Sequence, residues 1–315
     1  MDELRTRIQE RFDVEVHAVQ RLSGGACQEL FRVDTSEGAL VLRSDAPSSL
    51  PGSIGRREEH AVVAAAVAGG VPTPEVRWLS QSLVREGAWS YFMTWLDGET
   101  VGARVLRHPT LESAREVLPQ QLASALSAVH AVEAELPLRR FPDAARASLG
   151  LLRKILDALP WPRPGLELAY RWACENAPAG REQTLLHGDF RVGNFMVGPK
   201  GLVGLLDWEF ARYGDPLDDI AWLCVRDWRF GNVKHPAGGL CSRERFCAAY
   251  TAASGRDVDV GVLHFWEVMG NLRWGAAAVM QGPRYASTGD LEMLAIPRRV
   301  AEMEYEALRL IEVGA

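Results

Sequence analysis

The sequence predicts an α+β protein of two lobes, in which a small antiparallel β-sheet with one helix precedes a larger, mainly helical lobe. Residues 1–96 contain short segments rich in β-branched and aromatic residues, separated by turn residues. Residues 97–315 contain mostly longer segments with apolar residues at helical spacing. Asp97-Gly98 breaks the last strand pattern of the first part, so we place the boundary between the lobes there.

The composition is that of an ordinary globular protein. Of its 315 residues, 47% are hydrophobic and 24% are charged. The net charge is −6, which argues against nucleic acid or an anionic membrane surface as a partner. Five cysteines are scattered without a metal-binding spacing, so neither a disulfide scaffold nor a zinc site is predicted. The sequence has no signal-like apolar start and no apolar run of about 18 residues, and we therefore expect a cytoplasmic protein.

The elements of the first lobe follow from spacing and turn residues. Leu4, Ile8 and Phe12 fall at helical spacing and predict a short amphipathic helix before the sheet. An alanine- and valine-rich segment predicts the helix of the lobe, and the glycines at 69–70 stop it. These helices are predicted at 2–12 and 56–68, and strands at 14–16, 30–33, 40–42, 76–79 and 88–96.

A glycine-rich turn lies between the first two predicted strands. Ser23, Gly24 and Gly25 would expose backbone N–H groups without side chains in the way, and such a turn suits a phosphate group. An ordinary hairpin turn is the alternative interpretation of the same three residues.

The second lobe is predicted to be helical around one β-rich stretch. Helices are predicted at 118–129, 151–159, 166–176, from 216, and at 243–254, 260–281 and 289–312. The β-rich stretch runs from Thr184 to the start of the helix at 216 and contains two apolar runs joined by a hairpin with several glycines. Asp215, Asp218 and Asp219 are expected to cap that next helix and to brace the stretch.

Polar residues end both apolar runs of this stretch. His187-Gly188-Asp189 follows the first run, and Asp207 follows the second. Asn194 stands five residues after Asp189. Two aspartates and an asparagine can gather hard cations beside a hydroxyl that must lose its proton, and this is the requirement of phosphoryl transfer.

Each of these residues has a distinct expected role. Asp189 would accept a hydrogen bond from the hydroxyl of the acceptor and take its proton. Asn194 and Asp207 would offer oxygen ligands to Mg²⁺. For Asp189 alone, a turn aspartate at the end of a strand is the alternative interpretation. The three residues together favour catalysis.

The segments HGDFRVGN (187–194) and LDWE (206–209) resemble the aminoglycoside phosphotransferase and choline kinase family, small-molecule relatives of the protein kinases. The five-residue spacing in the first segment is the most specific feature of the resemblance. The resemblance implies a protein-kinase-like fold with a nucleotide-binding first lobe and a catalytic, acceptor-binding second lobe. It also implies ATP, Mg²⁺ and a small-molecule hydroxyl acceptor.

The resemblance further implies a cation on the third strand that grips the phosphates of the nucleotide and pairs with an acid in the helix of the first lobe. Most relatives use lysine, but no lysine precedes Lys154 in this chain. Arg43 matches the position, and it keeps the charge while adding a planar fork. The implied partner is Glu59, with Glu58 as the competitor. The alternative is that Arg43 and both glutamates are solvated surface charges.

The segment before Asp97 resembles the hinge that holds adenine in this family. By that resemblance, the Thr94 carbonyl and the Leu96 N–H would meet the base, and Met93 would lie at the back of the pocket. An ordinary core strand is the alternative interpretation.

Within the family, the chain is most similar to the kinases associated with acyl-CoA dehydrogenases. The resemblance rests on VLRSDAP (41–47), HGDFRVGN (187–194), LDWEFARYGDPLDDIAWL (206–223) and FWEVMGNLRWG (265–275). It implies a hydroxy acid or a hydroxyacyl thioester as the acceptor. Two other functions stay open, an antibiotic O-phosphotransferase acting on aminoglycosides and a non-catalytic nucleotide-binding module with a kinase fold.

Overall fold

The structure is a computed structural model that describes residues 1–22, 28–47, 49–289 and 291–314. It confirms the predicted α+β architecture of two lobes. The first lobe contains α1 (Asp2–Phe12), β1 (Val16–Arg21), β2 (Gln28–Thr35), β3 (Gly38–Asp45), α2 (Arg56–Ala68), β4 (Val76–Gln81) and β5 (Trp89–Thr94). The Asp97-Gly98 boundary stays a prediction, and α3 (Gly102–Arg107) is the first element after it.

The sheet of the first lobe is antiparallel and has the strand order β1-β2-β3-β5-β4. Because side chains alternate along a strand, Leu42 and Arg43 point to opposite faces of the central strand β3. Leu42 packs in an apolar cluster with Leu4 and Ile8 of α1, so α1 covers that face. Arg43 contacts Glu59 of α2, so α2 covers the other face.

Helix α2 joins the two lobes through its apolar side. Val62, Val63 and Ala66 recur at i, i+1 and i+4, and all three are buried. They belong to the same apolar cluster as the core of the second lobe rather than to the cluster under α1. The position of α2 is therefore tied to both lobes.

The second lobe is mainly helical, as predicted. Its longer helices are α4 (Glu112–His130), α5 (Ala144–Asp157), α6 (Pro164–Glu175), α7 (Pro216–Leu223), α8 (Arg243–Ser254), α9 (Val260–Gln281) and α12 (Val300–Val313), with the short helices α10 (Tyr285–Thr288) and α11 (Glu292–Ala295) between the last two. Its strands are β6 (Thr184–Leu186), β7 (Phe195–Gly198), β8 (Gly201–Leu205) and β9 (Arg212–Gly214). β6 pairs with β9, and β7 forms a hairpin with β8.

The single helix predicted at 289–312 is wrong. The chain forms α11, then a 3₁₀ turn at Ile296–Arg299, and then α12. Pro297 explains the interruption, because proline lacks the N–H that a helix interior needs and its ring crowds the preceding turn. In the part of the chain that the structure describes, no helix is long and apolar enough to cross a membrane.

Candidate active site

The turn after β6 is closed by a glycine that cannot be replaced without a clash. Gly188 has a φ of 80°, which L side chains rarely adopt. A Cβ at this position would lie 2.0 Å from the carbonyl oxygen of Phe210. The local sequence His-Gly-Asp therefore allows Asp189 to follow a sharp turn that packs directly on the chain before β9.

Asp219 of α7 stabilises this turn through hydrogen bonds to its backbone. Its carboxylate accepts the backbone N–H groups of His187 at 2.7 Å and Gly188 at 2.9 Å. His130 Nε2 lies 3.3 Å from the same carboxylate, and its Nδ1 lies 2.8 Å from the hydroxyl of Tyr250. Burial would raise the pKa of Asp219, but the contacts with His130 and the nearby charges hold it below its usual value.

Asp189 lies at the end of this turn, and its carboxylate accepts three donors. Trp222 Nε1 donates to Oδ1 at 2.6 Å, and Asn194 Nδ2 donates to Oδ2 at 2.6 Å. Arg191 Nε lies 3.1 Å from Oδ1 and 3.3 Å from Oδ2, so it shares one N–H between the two oxygens. Asp189 is consequently held in one orientation by residues from its own loop and from α7.

Asp207 follows β8 in a strained backbone conformation. Its φ is 66°, which is uncommon for a residue with a side chain and is found frequently at functional sites. The N–H of Leu206 donates to the carbonyl of Asn194 at 2.8 Å, so the loop that holds Asn194 lies directly beside Asp207. The structure thus brings Asp189, Asn194 and Asp207 into one region.

The chemistry of Asn194 and Asp207 fits a Mg²⁺ ion. The Asn194 amide nitrogen donates to both the carbonyl and the carboxylate of Asp189, at 3.0 Å and 2.6 Å, which turns the amide oxygen away from Asp189. Among the described residues, no group of three or more His, Cys, Asp or Glu could hold a metal ion. Two protein oxygen ligands suit Mg²⁺ nonetheless, because it usually keeps waters and binds the phosphates of the substrate.

Arg43 connects this region to the first lobe. Its Nη2 lies 2.9 Å from Glu59 and 2.9 Å from Asp207, and the side chains of Arg43 and Glu59 are almost completely buried. Burial would lower the pKa of Arg43, but the charges of Glu59 and Asp207 raise it above its usual value. Glu58 is partly buried and Glu59 is fully buried, and it is Glu59 that lies against Arg43.

A second arginine completes the contact with Glu59, and the sequence did not predict it. Arg56 Nη1 donates to Glu59 at 2.5 Å, and its Nη2 donates to Glu209 at 3.2 Å. Arg56 stands three residues before Glu59 on α2, a spacing that places both on one face of a helix. That spacing is a signal which could have identified Arg56, since a buried carboxylate needs more than one donor.

The residues predicted as the hinge lie at the end of β5, next to β3. Met93 is opposite Val41, and Thr94 is opposite Leu40. The Thr94 N–H donates to the Glu75 carbonyl, while the Glu75 N–H donates to the Thr94 hydroxyl rather than to its carbonyl.

Leu96 reaches the second lobe, and a Cβ added to Gly204 would lie 2.7 Å from its Cδ1. Ser23, Gly24 and Gly25 lie outside the described residues.

The two-lobe fold is protein-kinase-like. Residues 18–256 match the model of the phosphotransferase enzyme family, and the chain belongs to this family.

Curated relatives are distant and much longer than this chain. Acyl-CoA dehydrogenase family member 10 of Mus musculus is 27% identical over 220 residues, which cover 64% of this chain and 20% of that protein. Acyl-CoA dehydrogenase family member 11 of Gallus gallus is 26% identical over 220 residues, which cover 65% of this chain and 27% of that protein. The chain therefore spans only a fifth to about a quarter of these two relatives.

Solved structures share the fold over the whole chain. A Ralstonia eutropha protein provisionally described as an aminoglycoside phosphotransferase has a TM-score of 0.78 and 18% identity, covering 100% of this chain and 98% of its own. A thermostable variant of the aminoglycoside phosphotransferase APH(4)-Ia, solved with AMP-PNP and hygromycin B, has a TM-score of 0.69 and 16% identity, covering 98% and 99%. At 18% and 16% identity, the similarity to these structures establishes the shared fold alone.

Asp219→Asn is expected to destabilise the protein by about 3 kcal/mol at pH 7. The single oxygen of an amide cannot accept both backbone N–H groups of the turn and also contact His130. The pKa of Asp219 is lower in the folded state than its ordinary value. The stabilisation from its carboxylate is therefore fully present above the ordinary pKa and is lost as the pH falls through the pKa of the folded state. The free-energy difference between wild type and variant should stay constant from about pH 6 to 8 and shrink below about pH 4.

Urea unfolding at several pH values measures this difference. The exposed Asp257→Asn is the control and should leave the unfolding free energy within about 0.5 kcal/mol of wild type. Equal stabilities of Asp219→Asn and Asp257→Asn would contradict the bracing role.

Proposed function

We propose that the protein is an ATP- and Mg²⁺-dependent phosphotransferase that moves the γ-phosphate to a hydroxyl group of a small molecule. The observation that supports this best is the contact of Arg43 with both Glu59 and Asp207, which places a buried cation of the first lobe beside the polar residues of the second. Phosphoryl transfer depends mainly on positioning and on neutralising charge, and such an arrangement suits both.

The nucleotide would lie between the lobes, and residues 1–96 would form its binding lobe. The Thr94 carbonyl and the Leu96 N–H would meet the adenine, with Met93 at the back of the pocket. The N–H groups of the turn at 23–25 would meet the phosphates. Arg43, held by Glu59, would neutralise the phosphates from the first lobe.

Asn194 and Asp207 would hold Mg²⁺, which when bound offsets charge on the phosphates. Asp189 would accept a hydrogen bond from the acceptor hydroxyl and take its proton. Each oxygen of Asp189 already accepts one short bond, and Arg191 Nε shares the remaining side. A hydroxyl that approaches Asp189 would therefore take the place of Arg191.

The proposed acceptor is a hydroxy acid or a hydroxyacyl thioester. The curated relatives are named as members of the acyl-CoA dehydrogenase family, and an acyl-CoA is a thioester. Arg191 contacts Asp189, and the guanidinium of Arg273 lies 4.9 Å from the ring of Trp222 beside it. Cations near the hydroxyl-binding position favour an anionic acceptor over a polycationic one.

ADP release from ATP and Mg²⁺ is expected with at least one member of a panel of hydroxy acids and their CoA thioesters. Asp189→Asn should reduce turnover by about 100-fold or more and leave nucleotide affinity nearly unchanged, because Asp189 faces the acceptor. Asp207→Asn should weaken Mg²⁺-dependent nucleotide binding as well. Asp257→Asn is the exposed control. Wild-type turnover that neither variant changes would exclude the assigned site, and binding of nucleotide without any turnover would favour a non-catalytic module.

Arg43→Met is expected to raise the KM for ATP by about tenfold or more, because the cation that would neutralise the phosphates is lost. Arg43→Lys should raise it less, since lysine keeps the charge without the planar fork. Steady-state kinetics with varied ATP measure both effects. An unchanged KM in Arg43→Met would mean that the phosphates are held in another way.

An antibiotic O-phosphotransferase is the second candidate, favoured by the fold that the chain shares with the hygromycin B complex. Because cations lie beside Asp189, we expect no resistance to aminoglycosides when the protein is expressed in a sensitive bacterium. Minimal inhibitory concentrations measure this. An increase of about fourfold or more that Asp189→Asn abolishes would make the antibiotic function the better one.

A further inference from the structure

Trp222 contacts the proposed catalytic residue, although it lies outside HGDFRVGN (187–194) and LDWE (206–209) and the sequence assigned it no role. It stands near the end of α7, 33 positions after Asp189, and it is partly buried. Its indole Nε1 donates to Asp189 Oδ1 at 2.6 Å, as short as the bond from Asn194 to the other oxygen. Two short bonds therefore hold the two oxygens of one carboxylate from different directions.

The orientation of an aspartate carboxylate needs such support. The last torsion of an aspartate side chain is broad, because rotation about an sp³–sp² bond has no sharp minima. Asn194 fixes Oδ2 alone, and Arg191 divides one N–H between the oxygens at 3.1 and 3.3 Å. Trp222 supplies the short bond that fixes Oδ1, so it determines the rotation that Asn194 by itself leaves open.

The indole ring of Trp222 is itself held in place. The guanidinium of Arg273, on α9, lies 4.9 Å from the ring centroid. Arg273 forms two bonds with the carboxylate of Asp218, of which the one to Oδ2 is 3.0 Å long. Asp218 stands four residues before Trp222 and therefore lies on the same face of α7.

A glycine permits the close approach of α7 and α9 at this point. A Cβ added to Gly270 would lie 2.8 Å from Cγ2 of Val225 and 3.7 Å from Cε3 of Trp222. Both atoms belong to buried or partly buried side chains that have little room to move. Gly270 thus lets α9 approach closely enough for Arg273 to lie against the indole.

We propose that Trp222 is a positioning residue that orients the Asp189 carboxylate toward the acceptor hydroxyl. This inference rests on the proposed phosphotransferase function. A displacement of a catalytic group by about 1 Å can cost about 100-fold in rate. Loss of the indole N–H is therefore expected to reduce turnover strongly and to leave nucleotide binding intact, because the hydrogen bond that is lost goes to Asp189.

Trp222→Phe removes the N–H and keeps an aromatic ring beside Arg273. With MgATP, and water as the acceptor, we expect ADP release to fall by about 10- to 100-fold, while the affinity for AMP-PNP stays within about twofold of wild type. Trp274→Phe is the matched control, because Trp274 Nε1 donates to a different carboxylate, that of Asp227, at 2.5 Å. It loses the same kind of bond, and its turnover should stay within about threefold of wild type. Equal turnover in the two variants would overturn the proposal.

The double variant distinguishes positioning from a general structural effect. If Trp222 acts through Asp189, then Asp189→Asn combined with Trp222→Phe should be no slower than Asp189→Asn alone. A further loss of about tenfold in the double variant would overturn the positioning role. Absence of ADP release from wild type both with water and with the panel of hydroxy acids and CoA thioesters would overturn the phosphotransferase function itself. A wild type sensitive to Asp189→Asn but not to Trp222→Phe would overturn only the inference about Trp222.

Arg273→Met replaces the first variant if Trp222→Phe does not fold. It leaves the indole N–H in place but removes the cation against the ring, so turnover should fall by about threefold or more. Unchanged turnover would contradict the proposal. In protein with ¹⁵N-labelled tryptophan, Asp189→Asn should also shift the indole N–H resonance of Trp222 and not that of Trp274, and an unshifted Trp222 resonance would show that the bond is not formed in solution.

Discussion

Arg43 is a buried cation between two acids that come from different parts of the chain, Glu59 on α2 and Asp207 after β8. Removing a charge from water costs several kcal/mol unless partners surround it. Arg56 meets the same requirement by bridging Glu59 and Glu209. Both guanidinium groups can pair with their acids only when β3, α2 and the segment after β8 meet at one place. This requirement fixes how the two lobes face each other.

The second lobe is arranged around α7 in a comparable way. Asp215 caps the helix by accepting the N–H of Leu217, and Asp219 holds the turn before Asp189. Asp218 binds Arg212 and Arg273, which link α7 to β9 and α9. One short helix thus orders the turn, the strand and the helix that surround the proposed catalytic aspartate. Its acids are used for structure, while Asp189 lies at the end of the turn that Asp219 holds.

The sequence predicted most of the fold because the local signals agreed with the tertiary structure. The spacing of Leu4, Ile8 and Phe12 predicted α1 with its observed bounds, and the predicted helix at 56–68 is α2. The single helix predicted at 289–312 is wrong because Pro297 interrupts the backbone within an otherwise regular series of apolar residues. The turn at 23–25 lies outside the described residues, so its proposed phosphate contact stays a prediction.

For the site, the sequence by itself determined the types and the spacing of the polar residues: Asp189, Asn194 and Asp207, and an arginine at position 43 where no lysine was available. Local spacing suffices for these because each lies in or next to a strand: Arg43 is within β3, Asn194 immediately precedes β7, and Asp189 and Asp207 come shortly after β6 and β8. Tertiary structure decided which partners they have, since the full burial of Glu59 and the partial burial of Glu58 depend on how α2 packs between the lobes. It also decided the contact of Trp222 with Asp189, because 33 residues separate them and only the packing of α7 beneath the turn brings the indole N–H to the carboxylate.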